Sequence, residues 1–147
     1  MLDWEAATAE WEQVYSLKYG KPITQELLIR ASDEVGPLPE DLMTLYGHCN
    51  GLSAVWFSIL PVYDPLDVRE TWDSIERANN PQTTSHFEGD VKFLKRFLIF
   101  AKLDAGLCAV YDRADGSIWY EEDDELHSTT LDLAGFIKTC LREVRDF

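Results

Sequence analysis

The sequence predicts an α+β domain in which a mostly antiparallel sheet of about four or more strands packs against N-terminal and C-terminal helices. Three observations predict it. Apolar residues recur at spacings of three and four over the first fifty residues and again near the end. Between Phe97 and Tyr120, short runs of branched and aromatic residues alternate with turn signals. Finally, the 147 residues are 46% hydrophobic and 12% aromatic, which suffices for one conventional core without disulfide or metal staples and places residues 1–147 in a single domain.

The elements follow in order. From Asp3 to Tyr19, the residues Trp4, Ala7, Trp11, Val14, Tyr15 and Tyr19 fall on one helical stripe, with Gly20 and Pro22 as its stop. Thr24 is placed to cap a second helix, Glu26 complements its dipole, and Leu27, Leu28, Ala31 and Val35 form its inner face before Gly36 and Pro37 end it. In GPLPEDLMTLYGHCNG, Pro39 suits the first position of a third helix because it has no amide hydrogen to leave unpaired there. Glu40 and Asp41 favour that N-terminus, and Leu42, Leu45, Tyr46 and Cys49 follow at i, i+3, i+4 and i+7. Asn50 and Gly51 suit a left-handed closure.

After Gly51 the period changes. LSAVWFSILPVY reads as one largely buried strand ended by Pro61 and Pro65, and Leu66 to Ala78 reads as a helix with Val68, Trp72 and Ile75 turned inward. NNPQTTSHFEGD, residues 79–90, is polar and rich in turn formers, so an exposed, flexible loop is expected between two halves of one sheet. FLIFAKL, LCAVY and SIWY form an antiparallel meander, with Asp115-Gly116 as one of its turns. Glu121 to Glu125 reads as a solvated charge run. Leu133, Phe136, Ile137, Cys140, Leu141 and Val144 define a closing amphipathic helix.

The formal net charge of −14 comes from 13 basic and 27 acidic residues and is spread along the chain, −9 in residues 1–73 and −5 in 74–147. A nucleic-acid reader needs a basic face, and Lys92, Lys95 and Arg96 are too few to supply one. No run approaches the roughly 18 apolar residues of a membrane span, and MLDWEAATAEWEQ carries acids where a signal peptide carries a basic segment. A cytoplasmic protein is expected. Cys49, Cys108 and Cys140 lack CxxC spacing and are expected to be reduced and buried.

Catalytic signals are sparse. His48 and Cys49 are neighbours on a helix and diverge by about 100°, which disfavours a nucleophile-base pair. The absence of HExxH, EF-hand, Walker and GxGxxG patterns leads us to expect no catalytic residue, no metal and no cofactor. Trp4, Trp11 and Trp72 read as core, whereas Trp56 and Trp119 lie in strands with a face that a partner can use. The acids Glu121, Glu122, Asp123, Asp124 and Glu125 beside Trp119 combine charge for encounter with an aromatic for burial, the composition expected of a partner-binding patch.

Taken together, ASDEVGPLPEDLMTLYGHCNG, the hydrophobic segment after Gly51, LCAVYDRADGSIWY and LDLAGFIKTCL resemble the SUKH superfamily. The branch they resemble is named for fungal regulators of cell-wall and glucan synthesis and has many bacterial members. The likeness covers about residues 24–144, and its most telling element is Leu38, Pro39, Glu40 and Asp41 closed by Asn50 and Gly51. The resemblance implies an α+β fold without catalytic machinery. For bacterial members it implies immunity proteins that bind and neutralise a toxin, often a nuclease, and for fungal relatives regulatory interaction modules. The long first helix and the polar loop before Phe97 depart from the usual short members. The leading expectation is therefore a protein-binding immunity protein with a basic toxin partner. The alternative is a regulatory or scaffolding module of the cell-wall-regulator type, and both leave room for a homodimer.

Overall fold

The computed structural model describes residues 3–14, 17–54, 56–83 and 91–142. Helix α1, Trp4–Val14, turns Trp4 and Trp11 into the core, their rings edge to face at 6.3 Å, and packs against α3, Glu40–His48. It ends earlier than its apolar spacing suggests. Lys18–Tyr19 is not helix but strand β1, paired antiparallel with β2, Leu52–Ser53. The reason is tertiary. The Gly20 N–H donates to the Gly51 carbonyl at 3.0 Å, and a Cβ at Gly20 would collide with the Asn50 carbonyl oxygen, so the chain is drawn against the Asn50–Gly51 backbone.

Helix α2, Gln25–Val35, obeys its local signals. Thr24 accepts the Leu27 N–H at 3.3 Å, Leu28, Ala31 and Val35 are buried, and Gly36 ends the helix at φ 94°. In α3, Pro39 stands one position earlier than expected, as the N-cap, while Leu42, Leu45 and Tyr46 are fully buried. Asn50 does not serve as a left-handed closure. Only Gly51 takes positive φ, and the buried Asn50 side chain instead pairs with the Val62 backbone, donating to its carbonyl at 2.8 Å and accepting its N–H at 2.7 Å.

Among the described residues the sheet has seven strands in strict chain order, each antiparallel to the next. After β1 and β2 come β3 at Phe57–Ile59, β4 at Phe97–Leu103, β5 at Cys108–Asp112, β6 at Ile118–Glu122 and β7 at Glu125–Ser128. One expectation is corrected here. LSAVWFSIL is a hairpin rather than one strand, with Leu52 opposite Ile59 and Ser53 opposite Ser58, which puts the apolar pair on the buried side and the serines together. The solvated acidic run is carried on the last hairpin, with Glu122 opposite Glu125 and four of its five acids exposed.

The helix expected over residues 66–78 is broken into α4, Val68–Thr71, and α5, Ile75–Ala78. Ser74 restarts it by accepting the Arg77 N–H at 3.1 Å, and Thr71 ties back to Asp67 and Asp64. The break turns Val68 and Trp72 outward, so Trp72 is not core, while Ile75 remains buried. At the end of α5, Asn79 pairs with the Ile99 backbone of β4 in both directions, at 2.8 and 2.9 Å.

Part of the polar loop, residues 84–90, lies outside the described residues, and a short helix α6, Val91–Arg96, leads into β4. Helix α7, Leu133–Leu141, is capped by Asp132, which accepts the Gly135 N–H at 2.8 Å. Its Phe136 meets Phe100 of β4, which in turn meets Tyr111 of β5, at centroid distances of 5.5 and 4.4 Å. Val144 of the expected stripe lies outside the described residues. All three cysteines are buried, and none of them is in a disulfide. Among the described residues, no helix is long and apolar enough to cross a membrane.

Candidate functional site

The acidic run is presented by the β6–β7 hairpin. Its two-residue loop is Asp123-Asp124, with φ of 52° and 63°, as in a type I′ turn, which accepts Asn or Asp at its first central position and favours Gly at its second. Glu122 and Glu125 face each other across the last register position, where like charges repel. Glu122, Asp123, Asp124 and Glu125 are all exposed. The structure thus brings four carboxylates to one tip, with Asp124 at a position that favours glycine and Glu122 opposite a like charge.

The fifth acid differs. Glu121 is half-buried, and its carboxylate accepts the Cys108 backbone N–H at 3.1 Å, so it fastens β6 to the start of β5. Trp119 lies opposite Ser128 and donates its indole N–H to the Ser117 hydroxyl at 2.8 Å, half-buried on the same hairpin. On the other face of β6, Tyr120 and His127 stack at 5.5 Å. Trp56 stands apart, since β3 and β6 are separated by three strand spacings, about 14 Å. Its indole N–H donates to the Cys140 carbonyl and ties the β2–β3 turn to the last turn of α7.

Sequence reasoning missed a cleft of about 430 Å³ at the opposite edge of the sheet, a size typical of ligand sites. The register aligns Lys18, Ser53, Ser58 and Lys102 in one row across β1 to β4. Facing that row, Asp64, Asp67, Glu70 and Asp73 line the cleft from the segment around α4. Lys18 bridges to Glu70 at 2.6 Å, and Lys102, which does not itself line the cleft, bridges to Asp73 at 2.7 Å. The Lys18 ammonium hydrogen-bonded to Glu70 holds that carboxyl below its ordinary range. The legible signal was the recurrence of carboxylates every third residue in DPLDVRETWD.

Beyond α4 is a second recess of about 210 Å³, lined by residues that include Glu34, Tyr63, Trp72, Glu76 and Arg77. The Arg77 guanidinium lies 4.7 Å above the exposed Trp72 ring, and Arg30 lies 5.6 Å from the Tyr63 ring while donating to the Tyr63 carbonyl. Glu76 is buried beneath them. It accepts the Tyr63 N–H at 3.0 Å, and burial raises its pKa above the usual carboxylate value.

The nucleophile candidates are quiescent. Burial pushes the Cys49 thiol up to about 11, which suppresses its thiolate at neutral pH. Neighbouring His48 is engaged elsewhere, its Nε2 2.9 Å from the Thr8 hydroxyl. No group of three or more His, Cys, Asp or Glu among the described residues is arranged to hold a metal ion. No family model, curated protein or solved structure matches the chain.

Proposed function

We propose that the chain is a non-catalytic, protein-binding domain of the immunity type, which neutralises a toxin domain by covering its basic surface. The observation that supports this most directly is the β6–β7 tip. Asp124 occupies a positive-φ position that favours glycine and two glutamates oppose each other, an arrangement that costs stability and leaves four carboxylates exposed. A nuclease-type toxin must bind phosphate through a basic cleft, and a chain of net charge −14 is steered to such a cleft faster than a neutral one. Trp119 sits on the same hairpin as a half-buried aromatic for the contact that follows encounter.

The test uses the full chain and a cognate toxin domain, identified by its release late in a salt gradient. Glu122→Gln, Asp123→Asn, Asp124→Asn and Glu125→Gln together are expected to slow association about tenfold at low salt and to flatten its salt dependence. Glu121 is kept because it holds a backbone amide. Association kinetics that ignore the four substitutions remove the tip from the interface. The regulatory-module alternative has less support in the N-terminal helix as a docking surface, since Trp4 and Trp11 are buried in the core.

A further inference from the structure

The large apolar side chains left exposed among the described residues are Ile29, Leu66, Val68, Trp72 and Val91, and three of the five belong to the segment Leu66 to Trp72. Single exposed apolar residues are ordinary; a cluster on one short ridge is not. Leu66 is 95% exposed and Trp72 56%, although Trp is among the residues that most favour burial at interfaces. Arg77 stacks on the Trp72 ring at 4.7 Å, which limits the conformations the ring would lose on binding.

This segment contributes to both recesses, with Trp72 lining the smaller one and its carboxylates lining the larger. Glu70 and Asp73 already hold ammonium groups from Lys18 and Lys102. Asp64 and Asp67 have no cationic partner among the described residues, and Lys21 is the remaining base in the cleft wall. The wall therefore carries more negative than positive charge. Exposed lysine bridges are weak and exchange readily with an incoming cation.

We infer that the α4 ridge docks a segment of a partner protein in which an apolar side chain is flanked by lysine or arginine. The apolar group lies on Leu66, Val68 and Trp72, while a basic neighbour enters the cleft toward Asp64 and Asp67. The inference shares with the proposed function the idea of a basic partner, but it assigns contact to the opposite edge of the sheet from the acidic tip.

The experiment titrates the isotope-labelled full chain with a short synthetic peptide alternating leucine and arginine, with spermine as a cation lacking apolar side chains. Amide shifts from the peptide are expected to centre on residues 64–73, with the Trp72 indole signal moving as well. Leu66→Ser combined with Trp72→Ala leaves the net charge untouched and is expected to weaken the peptide about tenfold while leaving spermine unchanged. Both side chains are exposed, and circular dichroism checks that the variant keeps its fold; Leu66→Ser alone is the second variant, with a smaller loss in the same direction. Equal peptide affinity for parent and double variant would show mere charge attraction and overturn the ridge. Shifts confined to the β6–β7 tip would also overturn it while leaving the proposed function standing. Absence of peptide binding overturns it too, and the toxin kinetics then judge the proposed function separately.

Discussion

Asn50→Ala tests whether the Asn50-Gly51 junction is framework. The Asn50 side chain is the partner of both the Val62 N–H and the Val62 carbonyl, and both residues are buried. Alanine keeps the backbone in place but leaves a donor and an acceptor unsatisfied, each costing about 1–3 kcal/mol. The expected loss is thus about 2–6 kcal/mol, the lower end applying if a water enters the vacated space. A typical domain has only about 5–15 kcal/mol in total, so the variant should be visibly compromised. Urea unfolding followed by tryptophan fluorescence and far-ultraviolet circular dichroism measures the loss, with the slope m confirming that the two-state description holds. Asn50→Asp adds a second reading: it retains an acceptor and loses the donor, so its deficit relative to the parent should shrink as acid protonates the new carboxyl. A loss below about 1 kcal/mol for Asn50→Ala, at unchanged m, would refute the reasoning.

Three further outcomes are expected. The raised pKa of Glu76 means that, as pH climbs from its ordinary value near 4.5 toward the raised one, the unfolded chain releases a proton that the folded chain keeps. The parent therefore loses stability through that window and Glu76→Gln does not, a divergence readable in urea midpoints against pH and absent if Glu76 is not desolvated. The three buried thiols should react with an aromatic disulfide reagent far more slowly in the native chain than in urea, because burial hides them and raises the pKa of Cys49 and Cys108; one fast native thiol would contradict this. Asp124→Gly should stabilise the hairpin by about 0.5–1 kcal/mol, since glycine tolerates φ near 63° without a Cβ penalty. A lowered thermal midpoint would show that the aspartate side chain is itself holding the turn.

What the sequence made legible was what neighbouring residues decide among themselves. Thr24 caps α2, most of the apolar stripes of α2, α3 and α7 is buried, and the meander from Phe97 to Tyr120 turns at Asp115-Gly116. The failures occurred where a distant group decided. Tyr19 continues the helical stripe on paper, yet the pairing of Gly20 with Gly51 draws it into a strand. Trp72 sits at helical spacing between Val68 and Ile75, but the restart at Ser74 rotates it outward. At the site, the acids and Trp119 were visible as residues. That Glu121 turns to a backbone amide, and that Trp56 is spent on α7, follow from strand register and end-to-end packing that composition does not encode. The cleft was hidden for the same reason, because Lys18, Ser53, Ser58 and Lys102 become neighbours only once four strands are aligned.

The chain-ordered sheet also has consequences for handling the protein. The seven strands of the described residues end in two rims, β1 and β7, and a sheet rim is where another chain can add itself and grow a fibre or a swapped dimer. At β1 the rim is only two residues long and carries Lys18, too short a template to recruit a strand. At β7 the rim is longer, and the four carboxylates at its end repel a second copy of the same strand. The charges that favour a basic stranger thus also discourage self-recognition. Removing them exposes β7 to its own kind, so preparations of the neutralised tip are expected to scatter more light with time and concentration than the parent.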